Sequence, residues 1–264
     1  MLPIDLNGKK ALVSGVCRGI GAGIARQLAR AGCDVAGCGQ SQPSDSGPRA
    51  FVKSVEAEGR RAFFHYVDIA SQNGPKQWIT AAAAALGGVD IVVSNAGKNF
   101  FTGVEKCDEQ TWSECIDLDL AAHWRLAKAA KPHLEKSSQA VIIIISSNHT
   151  WRTIPGCFPY NVAKAGLIAM VQSLAVEWGP QVRAVGVAPG FIDTPSNDEW
   201  FKSVPDPVAE RTRTLKRHPV RRIGNTEEIG TPCASSACVE YDGHCLALTV
   251  KREFGCAAGP FAGS

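Results

Sequence analysis

Short apolar runs alternate with stretches of helical period along most of this chain. Lys10–Ser14 is apolar beyond its lysine and reads as a strand; Ile24, Leu28 and Ala31 then mark one face of an amphipathic helix. Asp34–Cys38 reads as a second strand, Arg61–Val67 as a third that closes at Asp68, and Val89–Ser94 as a fourth. Alanine-rich Ser71–Leu86 predicts a helix between the last two. A helix follows Asp108 and carries Trp112 to Ala130. Val141–Ile145 reads as a buried strand, Gly156–Trp178 as a long helix, and Val182–Val187 as the sixth strand. Strands in steady alternation with helices predict βαβ units: an α/β, doubly wound parallel sheet with helices on both faces. No linker or short internal repeat divides the chain, so residues 1–264 are expected to form a single domain.

Three stretches depart from that rhythm. Ser41–Pro48 is polar and turn-rich, and is expected to be a surface loop. Residues 191–222 hold Trp200, Phe201, several prolines and six basic residues from Arg211 onward. Such a long, irregular connection is expected to be a lid over a binding site, its charges forming a solvated face. Thr226-Glu227-Glu228 reads as a helix start whose interior Pro232 is expected to interrupt. In the atypical C-terminal region, 231–264, only Leu246–Val250 resembles a strand.

The first strand runs into Ser14-Gly15-Val16-Cys17-Arg18-Gly19-Ile20-Gly21 and then into helix. Strand, glycine-rich turn and helix in that order form a phosphate-binding device, because glycines admit close backbone approach and the helix start offers N–H donors. The predicted sheet is therefore of the Rossmann type. After the second strand, Cys38-Gly39-Gln40-Ser41 holds no carboxylate to meet a ribose 2′-hydroxyl. Tyr160 and Lys164 are four apart and stack on one helix face, with Ser147 delivered from the end of the preceding strand. A phenol, an ammonium and a hydroxyl in convergence suit proton transfer at an alcohol or carbonyl oxygen. A Tyr-x-x-x-Lys pair alone is not specific; its upstream context makes it so.

Composition removes several function classes. A chain of 264 residues with 45% hydrophobic content can bury one large core, and a net charge of +3 implies neither a nucleic-acid footprint nor an acidic tail. Met1–Lys10 lacks the apolar core of a signal peptide, and no run of about 18 apolar residues predicts a membrane span. The ten cysteines, scattered from Cys17 to Cys256 without a Cys-x-x-Cys pair, read as reduced thiols in a cytoplasmic protein. The histidines lack zinc spacing, so no metal is expected.

The order of motifs resembles the short-chain dehydrogenase/reductase superfamily over roughly residues 6–230. The motifs are Ser14-Gly15-x-x-x-Gly19-x-Gly21, Asp68, Asn95-Ala96-Gly97, Ser147 thirteen residues before Tyr160, Lys164, and Pro189-Gly190 with Thr194. Members acting as 3-oxoacyl-carrier-protein reductases or small secondary-alcohol dehydrogenases look nearest. The resemblance implies an NAD(P)-dependent oxidoreductase with Tyr160 as general acid/base, Ser147 hydrogen-bonded to the reacting oxygen, and Lys164 on the nicotinamide ribose, favouring the phenolate. It implies that Ser14, Gly15, Gly19, Ile20 and Gly21 hold the pyrophosphate, Asp68 the adenine, Asn95, Ala96 and Gly97 the adenosine-side ribose region, and Pro189, Gly190, Ile192 and Thr194 the carboxamide side.

Arg18, Gln40 and Ser41, with no carboxylate beside them, predict NADP(H) over NAD(H). Asp119 stands where the family usually has an Asn supporting a relay water, and is expected to act mainly through its backbone carbonyl. The substrate is expected to be a small carbonyl or alcohol compound, with Phe100, Phe101, His149, Trp151, Phe158, Phe191, Trp200 and Phe201 as candidate lining. A homo-oligomer, tetramer or dimer, is expected through the helices around 121–130 and 162–174. An alternative reading is a dinucleotide-binding protein with little turnover that acts through a protein partner.

Overall fold

Side-chain alternation along the strands decides the layers. In β5 (Ala140–Ile145), Ile142 and Ile144 enter one core while Val141, Ile143 and Ile145 enter the other. β1 (Lys10–Ser14) and β4 (Ile91–Ser94) divide the same way: Leu12 and Val92 to one side, Val13 and Val93 to the other. Both faces of the sheet therefore need covering, which is why the strands read as continuous apolar runs.

The computed structural model describes residues 4–238 and the strand Cys245–Leu248. Among the described residues the sheet has seven strands, adding β2 (Asp34–Gly39), β3 (Ala62–Tyr66), β6 (Val182–Pro189) and β7 (Cys245–Leu248). All neighbours are parallel, in the order β3-β2-β1-β4-β5-β6-β7. Helices α1 (Gly19–Arg30), α2 (Ser46–Glu56) and α9 (Glu227–Cys238) cover one face. Helices α3 (Gly74–Leu86), α5 (Ala122–Leu134) and α6 (Tyr160–Trp178) cover the other, with α4 (Glu109–Ile116) leading into α5. The strand order reverses between β1 and β4, and this opens a crevice at their carboxyl ends. This is the Rossmann-type doubly wound sheet, in one domain, that the sequence predicts.

Five local expectations are corrected. The supposed loop Ser41–Pro48 holds the start of α2 at Ser46: Pro48 lies in the first turn, where its missing N–H costs little, and Phe51 and Val55 anchor the buried face. The helix after Asp108 is divided by a π-turn at Asp117–Ala121. The helix expected from Gly156 starts at Tyr160, because Gly156 is left-handed at φ +86° and Pro159 precedes the first turn. Segment 191–222 is not irregular: it forms α7 (Pro195–Ser203) and α8 (Pro207–Arg217). Pro195 and Pro207 stand at the helix starts, directly behind the capping residues Thr194 and Asp206, whose side chains accept from Asn197 and Ala209 N–H.

Pro232, finally, does not interrupt α9. Reciprocal bonds between Asn225 and Glu228 (2.9 and 2.8 Å) fix the start of that helix. Its buried face, with Ile229, Cys233 and Ala237, packs on α1 so closely that a Cβ on Gly230 would lie 2.7 Å from Gln27 Cγ. Packing thereby outweighs the lost backbone bond. The expected strand Leu246–Val250 is described over Cys245–Leu248, one residue earlier at its start; its last two residues and the remainder of the 231–264 expectation beyond residue 238 lie outside the described residues.

Candidate active site

The glycine loop is built from within. Ser14, fully buried at the end of β1, accepts through Oγ from Asn95 N (2.9 Å) and Ala96 N (3.0 Å), and Asn95 Nδ2 donates to Ser14 O at 2.9 Å. These bonds stitch the ends of β1 and β4 together, so Ser14 shapes the loop and does not line its surface. At Gly21 a Cβ would lie 2.1 Å from Gly15 O, so only glycine lets α1 begin there. The N-cap of α1, Arg18, makes no side-chain cap, and no acidic residue lies in the first turn. The helix start keeps its N–H donors and positive dipole end for an anion, and the cradle fits a pyrophosphate. Ile20 is half-buried against the core at the same turn.

The other predicted cofactor contacts ring the crevice. Gln40 is exposed just past β2, and the first carboxylate beyond it is that of Asp45, which accepts Gln42 N–H at 2.8 Å. Asp68 is exposed after β3 and folds back on Ala70 N at 2.9 Å. Pro189 closes β6, Gly190 follows it, and Ile192 is buried with its carbonyl taken by Asn197 Nδ2 (2.7 Å). Thr194 faces the glycine loop: a Cβ on Gly19 would lie 3.7 Å from its Cγ2. Arg18 is not a free loop cation; its Nη1 lies 3.3 Å from Glu199 Oε1 on α7.

Three elements bring the acid/base candidates together. β5 ends just before Ser146 and Ser147; α6 opens on Tyr160; Lys164 follows one turn later. The Ser147 hydroxyl favours the ionised form of the Tyr160 phenol, and Lys164 Nζ lies over the Tyr160 ring, 5.5 Å from its centroid. Ser146 Oγ (2.7 Å) and Thr150 Oγ1 (3.0 Å) both donate to Lys164 O, which ties this turn of α6 to the end of β5. Phe101 and His149 stand edge-on to the Tyr160 ring at 5.2 and 6.0 Å and form one wall of the site. Of the other candidate lining residues, Phe158 stacks on Trp112 at 5.5 Å, and Phe191, Trp200 and Phe201 form a cluster of their own. Phe100 is buried and Trp151 exposed.

Electrostatics corrects one expectation. Burial pushes the Tyr160 phenol up from its ordinary value, the Ser147 hydroxyl pulls it back in part, and the Asp119 carboxyl pushes it further up. The net shift is upward, whereas Lys164 was expected to bring the phenol down. The ammonium sits against the ring face, and a buried carboxyl opposes it.

Asp119 is fully buried in the π-turn. Its Oδ1 accepts Lys98 N–H at 2.9 Å, while Oδ2 is buried without a hydrogen-bond partner. Burial raises this carboxyl above its ordinary range against the pull of Lys164 and Lys98. A Cβ on Gly97 would lie 2.7 Å from Asp119 Oδ1 and 3.2 Å from Lys164 Nζ, so Gly97 is the residue that lets the two groups approach. The side chain of Asp119, and not only its carbonyl, thus holds the loop after β4.

Sequence reasoning missed His123, one turn beyond Asp119. It is fully buried, its Nδ1 lies 2.7 Å from Ser94 Oγ, and burial followed by the charge of Lys164 holds it far below its ordinary value, hence neutral. The i, i+4 spacing from Asp119 on a predicted helix was a usable signal. Glu199 was missed as well, and nothing local in the sequence marks it.

A doubly wound sheet with a glycine cradle at the switch point and a Ser–Tyr–Lys cluster beside it defines a dinucleotide-dependent oxidoreductase. The family model described as short chain dehydrogenase matches residues 9–205, and the chain belongs to that family. It is an NAD(P)-dependent oxidoreductase on that ground. It is 31% identical over 227 residues to human dehydrogenase/reductase SDR family member 4, covering 84% of this chain and 78% of the relative. It is 33% identical to a 3-oxoacyl-(acyl-carrier-protein) reductase of Vibrio cholerae, over 90% of this chain and 93% of the relative. A short chain dehydrogenase from Burkholderia cenocepacia, solved in complex with NADP, superposes with a TM-score of 0.83 at 29% identity, over 93% of this chain and 98% of that one.

Proposed function

We propose that this chain moves a hydride between NADP(H) and a small ketone or secondary alcohol, with Tyr160 as the general acid/base. The observation that carries this reading is the Lys164 ammonium 5.5 Å from the centroid of the Tyr160 ring, at the start of α6 and beside the end of β5 that delivers Ser147. When bound, the nicotinamide dinucleotide supplies or accepts the hydride. Tyr160 gives its Oη proton to the carbonyl oxygen, or takes one from the alcohol. Ser147 holds the same oxygen in place, and Lys164 supports the phenolate that forms and orients the ribose. Gly15, Gly19, Ile20 and Gly21 cradle the pyrophosphate, Asp68 and the Asn95–Gly97 turn hold the adenosine side, and Pro189, Gly190, Ile192 and Thr194 the carboxamide side. Segment 191–222 serves as the substrate lid.

The preference for NADP(H) rests on Arg18 and on the absence of a carboxylate at positions 38–41, with Gln40 and Ser41 offering neutral donors. The NADP complex of the Burkholderia relative supports the same choice. A homo-oligomer fits the exposed Trp112, Trp124, Val162 and Val176 on α4, α5 and α6. Among the described residues no helix is long and apolar enough to cross a membrane, and eight cysteines carry free thiols, which fits a reducing cytoplasm. Tyr160→Phe should abolish turnover on a ketone panel while keeping dinucleotide binding. A residual rate above about a tenth of wild type would refute the role, because general acid/base catalysis is worth about 10²-fold or more.

A further inference from the structure

The glycine loop and the lid meet through one ion pair. Arg18 Nη1 reaches Glu199 Oε1 at 3.3 Å, with side chains 63% and 66% exposed. The neighbouring acids are already engaged: Asp193 and Asp198 each lie 3.1 Å from the guanidinium of Arg211, which also stacks on Phe201. Glu199 is the acid of α7 that turns to the glycine loop, in a shallow cleft it shares with Thr194 and Lys202. On its other side the loop is pressed against the β2 edge. A Cβ on Gly39 would lie 2.5 Å from Cys17 Sγ, and one on Gly47, at the start of α2, would lie 2.7 Å from Cys17 O. Arg18 therefore stands between the β2–α2 edge and an acid carried by the lid.

We infer that Glu199 tunes cofactor specificity by competing, within the chain, for the arginine that takes the 2′-phosphate of NADP(H). The inference rests on the role given to Arg18 above. A phosphate uses a guanidinium through two parallel N–H donors. A carboxylate already on that guanidinium occupies part of the fork and repels the incoming dianion. Phosphate binding then draws Arg18 off Glu199 and unties α7 from the glycine loop, so cofactor choice and lid position become linked. An exposed ion pair changes an equilibrium only a few-fold, so the effect is a modulation and not a switch.

The experiment is fluorescence titration of NADPH and NADH into the wild type, Glu199→Gln, Arg18→Ala and the double variant, at low and at physiological salt. Glu199→Gln should tighten NADPH by about two- to fivefold and leave NADH unchanged, with a smaller gain at the higher salt. Arg18→Ala should weaken NADPH by about tenfold or more, as loss of a charge-assisted pair does. In that background Glu199→Gln should have no further effect. If Arg18→Ala weakens NADPH but Glu199→Gln does not tighten it, the competition is overturned while the role of Arg18 stands. If Glu199→Gln tightens both cofactors alike, the glutamate acts on the lid and not through the phosphate, and the inference fails. If Arg18→Ala leaves NADPH unchanged, both ideas fall.

Discussion

Replacing Asp119 by asparagine should leave the enzyme active and make it more stable at neutral pH. The carboxyl is fully buried, and Oδ2 has no hydrogen-bond partner. Asp119 Oδ1 and Lys164 Nζ lie 2.7 and 3.2 Å from one common point beside Gly97. No more than about 6 Å separates them, and at an effective dielectric of about 20 their attraction is about 3 kcal/mol. Burying a carboxylate costs several kcal/mol. The carboxyl is raised rather than lowered, so the cost of burial exceeds everything that Lys164 and Lys98 return. Asparagine keeps an oxygen for Lys98 N–H and carries no charge. Its Nδ2 hydrogens meet the unpartnered corner that Oδ2 now occupies, at about 1–3 kcal/mol if left unmet.

The net gain should be about 1 kcal/mol near pH 8, a rise in Tm of roughly 2–4 °C for a chain of this size. The sign with pH follows from linkage. A carboxyl raised in the folded state stabilises the fold fully below its unfolded value, and that contribution is lost as pH rises through the folded value. The advantage of Asp119→Asn should therefore grow from acid towards neutral pH. Thermal unfolding of both proteins between pH 4 and 8 measures it. A variant that is less stable at pH 8, or an advantage that does not change with pH, would refute the reasoning. Turnover should stay within about tenfold of wild type, or about 1.4 kcal/mol in the barrier. A hundredfold loss would mean that the carboxylate itself transfers protons.

Two further outcomes test the scaffold. Gly21→Ala places a Cβ 2.1 Å from Gly15 O and should weaken dinucleotide binding at least about tenfold, read by cofactor fluorescence; unchanged affinity would sink the cradle. His123 is depressed in the folded state, so its stabilising contribution is present above the ordinary histidine value and lost as pH falls. Chemical denaturation of His123→Gln should show a shallower loss of stability below about pH 6.5, by up to about 1.4 kcal/mol per pH unit; an unaltered acid limb would count against it.

Backbone elements that bury a periodic face were legible in the sequence, and the elements that failed share a cause. Pro48, Pro195 and Pro207 fell in stretches that read as loops because a proline's meaning depends on its distance from a cap. Thr194 and Asp206 are caps only once the chain turns there. Pro232 sits inside a helix because α1 packs against it at Gly23 and Gly230, a long-range contact that local propensity cannot register. In the site, Ser147, Tyr160 and Lys164 were legible from spacing along one strand–helix unit. The pairing of Arg18 with Glu199 joins residues 181 positions apart and leaves no local mark. Ser14 was legible as a loop residue but not as one turned inward, because that orientation depends on where the end of β4 falls.

The raised phenol bears on the direction of the chemistry. Reduction consumes a proton from Tyr160, and oxidation needs the phenolate to take one. Burial, aided by Asp119, keeps the phenol neutral, and Lys164 against the ring face does not reverse this. Ketone reduction should therefore run at a nearly constant rate through neutral pH, since the donor is fully protonated there. Alcohol oxidation should climb steadily as pH rises, because each unit increases the phenolate fraction about tenfold while the group remains mostly protonated. Rates in both directions, measured with saturating cofactor from pH 6 to 9, test this. Oxidation that levels off near pH 7 would show that the occupied site lowers the phenol by far more than its own residues raise it. Lys164, oriented by the ribose, would then be the group that sets the ionisation, and Asp119 would matter only as the clamp on the loop after β4.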